Sequence, residues 1–505
     1  MIPFVFGTLS WQSERLGLWV PKWVAIFGLF FFFIIVLFLC ALNIENVQLF
    51  FSKFLVINKF EKWQLEYISN WIPRFGISLH LALDGLSLLM LILSGIIGII
   101  AILASWDEVY CFPGLFYFNL LWVFGSVIGV FLSIDMFLLF FFWEVMSIPM
   151  YFLVSMWGYK GLDINNRISA ATRFFIYAQL SGLCILISII SLASFNYKIN
   201  GVWSFDYDDL LHVLLPLHIE YLLMLGFFIA FAIKMPIVPF HTWLPEIHTY
   251  SPTGGSVDLI GILLKTAVYG FFRFTLPLFP VASQDFEPIA MFLGILSIFY
   301  GSWMAFIQTN IKRFIAYTNI SHMGFVLIAI YSNNQVSYQG AVIQVISYSL
   351  STSGMFILCS QLYVRLRTQN INIMGGLWGN INLIPAFFLF FIVAMLGIPG
   401  TGNFIGEITI LFGNFQRTPI VAIIAAFGIL FTSIYSLVLM QRVYYGTASV
   451  FSKPLKNIML REKFILIVLL LCLLIIGLFP QFILNTSYTT MKNIHIRLQE
   501  CSDLE

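Results

Sequence analysis

Residues 221–277 read YLLMLGFFIAFAIKMPIVPFHTWLPEIHTYSPTGGSVDLIGILLKTAVYGFFRFTLP. Two apolar spans flank a polar turn, and each carries a single lysine far from its ends, Lys234 and Lys265. An ionised lysine in hydrocarbon costs roughly 2.5–3.5 kcal/mol on insertion scales. Lys234 is followed by Met235-Pro236 and then Pro239, so no unbroken helix passes through it. A charge beside a helix break is a poor inert anchor and reads as the middle of an ion pathway.

The rest of the 505-residue chain agrees with a membrane setting. It is 60 % hydrophobic and 10 % charged, with a mean hydropathy of +0.95. Soluble proteins carry about 25 % charge. A net charge of +2 gives no support for nucleic-acid binding. The six cysteines show no CxxC or Cys/His spacing, so no disulfide framework, zinc site or iron–sulfur site is indicated. The opening MIPFVFGTLSW lacks a basic n-region and a cleavage site for a signal peptide.

Crossing the hydrocarbon takes about 20 apolar residues. Thirteen stretches qualify: 23–44, 79–105, 114–134, 136–158, 169–195, 220–240, 254–277, 286–308, 313–332, 337–363, 381–412, 417–442 and 463–486. Met1–Trp11 is a short fourteenth. The expected fold is therefore an all-α integral membrane protein of about fourteen helices. Nothing between the spans is large enough for a catalytic domain, which leaves a lipid-embedded transferase without support.

Counting the short opener as span 1, basic residues gather in one set of loops. These hold Arg15 and Lys22, Lys160 and Arg167, Lys312 and Arg313, Arg365 and Arg367, and Lys453 to Lys463. The opposite loops hold Asp135, Asp206, Asp208, Asp209, Asp285 and Glu287. Loop 45–78, with Lys53, Lys59, Lys62 and Arg74, runs against the trend. The bias predicts both termini on the non-cytoplasmic side.

A faint internal symmetry supports two related units. Lys234 lies 120 residues beyond position 114, and Glu407 lies 121 beyond position 286. Each belongs to an interrupted segment, KMPIVP at 234–239 and GIPGTG at 397–402. Units of five spans are inverted when fused, and interrupted helices at matching positions point to a transport site. The expected organisation is 1–112 (helices 1–3), 113–278 (first five-helix repeat, helices 4–8), 279–442 (second repeat, helices 9–13) and 443–505 (loop, helix 14 and tail). Helices 7 and 12 are the broken ones.

Charged and polar groups inside the spans then form a candidate proton relay: Glu144, Lys234, Lys265, His322, Tyr348 and Glu407. Burial disfavours a charged amine and a nearby carboxylate favours it, so moving the carboxylate switches the amine between holding and releasing a proton. Asp258 lies two turns before Lys265, on the same face of an ideal helix. Arg173 either counters Glu144 or reaches toward headgroups, and His241 and His248 stand where protons would enter. The alternatives are structural: buried ion pairs for the lysines, a core histidine at 322, a helix-end role for Glu407. No haem, metal or phosphate-loop pattern is present; GIPGTGNFIG has Ile405 where a GxGxxG pattern needs glycine.

The stretches WEVMSIPMYFLVSMWG (143–158), KMPIVPFHTWLPEIHTYSPTGGSVDLIGILLKTAVYGFFRF (234–274), KRFIAYTNISHMGFVLIA (312–329) and MLGIPGTGNFIGE (395–407) closely resemble the antiporter-like membrane subunits of respiratory complex I, the bacterial NADH–quinone oxidoreductase. The resemblance covers nearly the whole chain. It implies fourteen spans with two inverted five-helix units, and relay roles for Glu144, Lys234, Lys265 and Glu407. A terminal glutamate matches the M members, whereas L and N members typically use lysine. No long C-terminal lateral helix of the L type is expected. The family usually has histidine where this chain has Tyr348, and helix 1 is short by several residues. The resemblance further implies a bacterial inner-membrane location, L and N homologues as neighbours, and no cofactor in this chain. FMN, iron–sulfur clusters, NADH and quinone would belong to partner subunits. A sodium/proton antiporter subunit of the same ancestry and a non-pumping membrane scaffold are the competing readings.

Overall fold

Proline, aspartate and asparagine set where the helices start. A computed structural model describes residues 1–42, 63–109, 111–159, 164–379, 381–445 and 457–502. It contains α1 (Ile2–Ser13), α2 (Val20–Leu42), α3 (Gly85–Ala104), α4 (Pro113–Leu132), α5 (Met136–Trp157), α6 (Ile164–Asn200), α7 (Leu217–Lys234 and Trp243–Tyr250) and α8 (Thr253–Leu278). Then come α9 (Glu287–Ile307), α10 (Ile311–Ile330), α11 (Gln335–Leu366), α12 (Ile384–Met395 and Gly402–Arg417), α13 (Pro419–Tyr444), α14 (Leu460–Leu478) and α15 (Gln481–Ser502). Asp135 caps α5 by accepting from Phe137 N (2.9 Å) and Leu138 N (3.1 Å), and Asn334 caps α11 in the same way. Such caps satisfy amides that a helix start leaves unpaired.

The turns sort into two faces. On one, Tyr159 N donates to Tyr250 O, Arg365 pairs with Glu462 at 2.8 Å, and Arg461 pairs with Asp107 at 2.6 Å. On the other, Ser78 N donates to Asp135 (2.9 Å), Met136 N to Phe205 O, and Arg497 to both Pro277 O and Leu211 O. This alternation is what fourteen successive segments require, with α15 on the acidic face. The opener is short, as expected: Phe4 near its start packs on Trp122 and Phe142, inside the α4–α5 layer.

Three boundaries differ from the sequence expectation. Residues 79–83 belong to strand β2 (Ile77–Leu83), which pairs antiparallel with β1 (Leu65–Ile72), and α3 starts only after Asp84. Span 463–486 ends at Leu478, because Pro480 cannot continue the helix, and α15 leaves at 67°. Stretch 381–412 is split at 396–401, so its two pieces are each too short to qualify alone. Within the basic loops, Lys312 is also misassigned. Asn310 caps α10, so Lys312 lies inside the helix and is fully buried. Lys53, Lys59, Lys62, Lys160, Lys453 and Lys456 lie outside the described residues.

The hairpin is stapled to the acidic face by His80, which is 2 % exposed. Its Nε2 lies 2.8 Å from Glu66 Oε1, and Nδ1 bonds the Asp206 carboxylate. Burial lowers the imidazole pKa, but the Asp206 and Glu66 carboxylates outweigh it and hold the group above its ordinary 6.5. A raised folded pKa gives stabilisation that is complete below the unfolded value and is lost as pH rises through the folded one. Hydrogen–deuterium exchange, corrected for intrinsic rates, is therefore expected to show residues 65–83 protected at pH 6 and less protected at pH 9. His80→Leu should remove that pH dependence. Equal protection at both pH values in the unmodified chain would contradict the staple.

Candidate functional site

The break in α7 creates a pocket for a charge. Pro236 has no N–H, so Ala232 O is taken by Ile237 N (3.1 Å) and Ile233 O by the Trp243 indole (3.0 Å). Val238 N donates to Ser297 Oγ at 3.1 Å. With those groups satisfied, the backbone turns away and leaves Lys234 at the end of its helix, 1 % exposed. Its Nζ donates to Ser147 Oγ (3.2 Å) and lies over the rings of Trp143 (5.2 Å) and Phe174 (5.8 Å).

Glu144 is in the same α5–α6–α7 corner. Gln179 Nε2 donates to Glu144 Oε2 at 2.5 Å, and Oε1 rests on Gly182, where a Cβ would lie only 1.5 Å away. Trp143 donates to Ser181 Oγ, which donates on to Ala230 O, both at 2.9 Å, so the three helices hold one geometry. Glu144 and Lys234 are within electrostatic reach of each other. They form no direct ion pair among the described residues; Ser147 is the contact Lys234 makes instead. Arg173 does not counter Glu144. It pairs on the surface with Glu246 at 2.5 Å.

The second set is tighter. Lys265, fully buried, points its Nζ over the Tyr348 ring (5.4 Å) and toward Met323 Sδ (3.9 Å). Tyr348 lies against His322, with ring centroids 4.3 Å apart, and its hydroxyl is 3.3 Å from Thr318 Oγ1. His322 Nδ1 approaches Glu407 Oε1 at 3.1 Å, off the direction of a hydrogen bond. Gln344 Nε2 donates to the same oxygen at 3.1 Å. The other carboxylate oxygen sits over Gly397, whose φ of +70° belongs to the break in α12. Asn403 Nδ2 closes that break by donating to Ala394 O (2.8 Å), as Trp243 does in α7. Both broken helices thus present a titratable group beside the break. Lys265, Tyr348, His322 and Glu407 form one continuous cluster.

Asp258 is not part of it. Residues 259–263 form a π turn, with Leu264 N bonded to Leu259 O. The inserted residue rotates the remainder of α8 by about 100°, so the two-turn spacing no longer aligns Asp258 with Lys265. Both Asp258 carboxylate oxygens are buried without a hydrogen-bond partner. His241, 4 % exposed, lies in the break of α7 against Tyr300 (4.8 Å). His248 is fully buried against Phe356 (4.7 Å), with neither ring nitrogen hydrogen-bonded.

A polar group beneath the basic face was missed. Lys312 Nζ donates to Ser251 O (3.0 Å) and lies 4.0 Å from the Tyr159 ring centroid. Thr253 N donates to Glu108 at 3.1 Å, and the Tyr159 hydroxyl meets Thr253 Oγ1 (3.1 Å) and Ser360 Oγ (2.9 Å). Ser360, Phe356, Thr352 and Tyr348 recur every four residues on α11, so one helix face leads from this group past His248 to the relay cluster. The Asn310 cap signal in TNIKRF would have moved Lys312 from loop to helix.

The family model described as NADH:quinone oxidoreductase/Mrp antiporter, TM, matches residues 133–432, which contain every titratable group of both sets. The chain belongs to this family. Among curated relatives, the NADH-quinone oxidoreductase subunit M of Escherichia coli (strain K12) is 54 % identical over 500 residues, covering 98 % of this chain and 96 % of that one. Subunit M of Pseudomonas aeruginosa is 48 % identical over 495 residues, with 98 % and 96 % covered. In fold, this antiporter-family chain is similar to a chain of respiratory complex I from Thermus thermophilus: TM-score 0.83, 24 % identity, 99 % of this chain and 100 % of that one. It is also similar to a chain of the Mrp complex from Dietzia: TM-score 0.80, 18 % identity, with 98 % and 51 % covered. These two solved chains share the overall fold.

Proposed function

We propose that this chain is a proton-translocating membrane-arm subunit of an NADH–quinone oxidoreductase, with the proton moving along Glu144, Lys234, Lys265, Tyr348, His322 and Glu407. The observation that carries the reading is the buried contact series from Lys265 across Tyr348 to His322 and Glu407, which ends at a helix break. It is expensive as mere packing, since a buried ion pair seldom outperforms apolar side chains. Water bridges the interval between Lys234 and Lys265, and the amide of Asn319, buried without a partner one turn from Met323, offers it a polar wall. Tyr348 orients His322 and passes hydrogen bonds; a phenol keeps its proton at neutral pH, so it has no free site to take up another. The Glu108–Tyr159–Lys312 group and His248 supply uptake from the basic face.

Redox chemistry belongs to partner subunits, where FMN, iron–sulfur clusters, NADH and quinone are placed. L- and N-type homologues flank this chain in a bacterial inner membrane. The basic face is cytoplasmic, and both termini are on the other side. Residues 113–278 and 279–442 act as the two inverted repeats, with 1–112 and 443–505 around them.

The competing antiporter reading makes a separate prediction. In sealed inverted vesicles carrying the assembled complex, NADH-driven acidification is expected to proceed at an unchanged rate in sodium-free potassium buffer. An obligatory sodium requirement, or sodium/proton exchange without NADH, would overturn the proposal in favour of a cation antiporter.

A further inference from the structure

A groove of about 930 Å³ opens on the outer surface between α1, α2, α3 and α14. Its walls are apolar, with Phe6, Leu9, Phe27, Phe30, Leu103 and Phe464 among the lining residues. One end is different. Arg461 lines the groove there, and its Nε is buried without a hydrogen-bond partner. Its Nη2 pairs with Asp107 at 2.6 Å, and Lys22 is close to both, donating to Trp106 O at 2.5 Å. Two cations and one carboxylate leave this rim with a positive charge.

Trp23 packs edge-on against Trp106 at the same level (5.3 Å), while Trp11 and Trp19 are at least half exposed nearby. Such an aromatic band marks a headgroup level. Depth identifies the occupant. From Val20 to Phe30 the groove follows α2 for ten helical steps, about 15 Å, or half the hydrocarbon thickness. A partner helix would need the whole thickness, whereas a lipid chain fills one leaflet. We infer that this groove is a binding site for an anionic phospholipid, its acyl chains against α2 and its phosphate at Arg461 and Lys22. The inference uses no residue of the relay.

The test is phospholipid analysis by mass spectrometry of the membrane assembly purified through this chain. The assembly is delipidated with mild detergent and then offered phosphatidylglycerol or phosphatidylcholine vesicles. The unmodified protein is expected to retain anionic lipid and prefer phosphatidylglycerol. Arg461→Ser should lower that preference about fivefold, the worth of one basic side chain at an anionic surface. Asp107→Asn, which breaks the same ion pair but keeps the arginine, should not lower it. Val24→Trp, which fills the groove, should abolish retention while leaving the rim intact. Equal retention of both lipids by the unmodified protein, no effect of Val24→Trp, or a protein segment seated in the groove would each overturn the assignment.

Discussion

Lys234→Ala is expected to leave the complex assembled while NADH-driven proton pumping in sealed vesicles falls by about tenfold or more, the low end of what one positioned proton-transfer group contributes being higher still. Alanine removes the Lys234 ammonium from the α5–α6–α7 corner, leaving Ser147 and the Trp143 and Phe174 rings without the charge they surround. The break itself survives, because its carbonyls are held by Ile237 N and Trp243 and not by the lysine. Quinone reduction is expected to fall along with pumping, since a tightly coupled redox arm stalls when the membrane arm cannot move charge. Incorporation of the chain is checked first. Assembled vesicles that pump at the unmodified rate would remove Lys234 from the path.

Glu144→Gln carries the second large effect. Glutamine has the same shape, and its amide oxygen still accepts from Gln179 across the 2.5 Å contact. The glycine seat at Gly182 remains open to it. What is lost is the negative charge near Lys234 and the ability to take a proton. If Glu144 were only a packing element, glutamine would be harmless. As a relay carboxylate its loss is expected to reduce pumping about tenfold or more, and Glu144→Asp should recover part of the rate by restoring charge one methylene short of the seat. Full pumping by Glu144→Gln would contradict the relay role.

How much of this was legible in the sequence depended on what each feature leaves in the residue pattern. Long apolar runs and the prolines after Lys234 announce spans and a break directly, because hydrocarbon thickness and the missing proline N–H leave few alternatives. The glutamate, lysine and histidine positions followed from the cost of charge in those spans. The β1–β2 hairpin was hidden, since its second strand, ISLHLAL, runs into an equally apolar helix and only Asp84 marks the change. The π turn in α8 has no pattern signature, so Asp258 was placed on the wrong face. Lys312 was counted with the loops because it adjoins Arg313, although the Asn310 cap just before it draws it into the protein. Contacts between neighbouring helices, such as Tyr348 of α11 with His322 of α10 or Gly182 of α6 with Glu144 of α5, need the fold itself.

The most direct test of the central claim separates a charge that holds structure from one that releases a proton. Arginine keeps a cation at position 234 but does not deprotonate in a protein, whereas buried lysine readily changes its protonation state. The measurement is the initial rate of NADH-driven proton pumping by Lys234→Arg in sealed vesicles, normalised to assembled complex. The relay account predicts a loss comparable to that of Lys234→Ala. Pumping at the unmodified rate by assembled Lys234→Arg would show that a fixed positive charge is sufficient, and would contradict proton transfer through this residue.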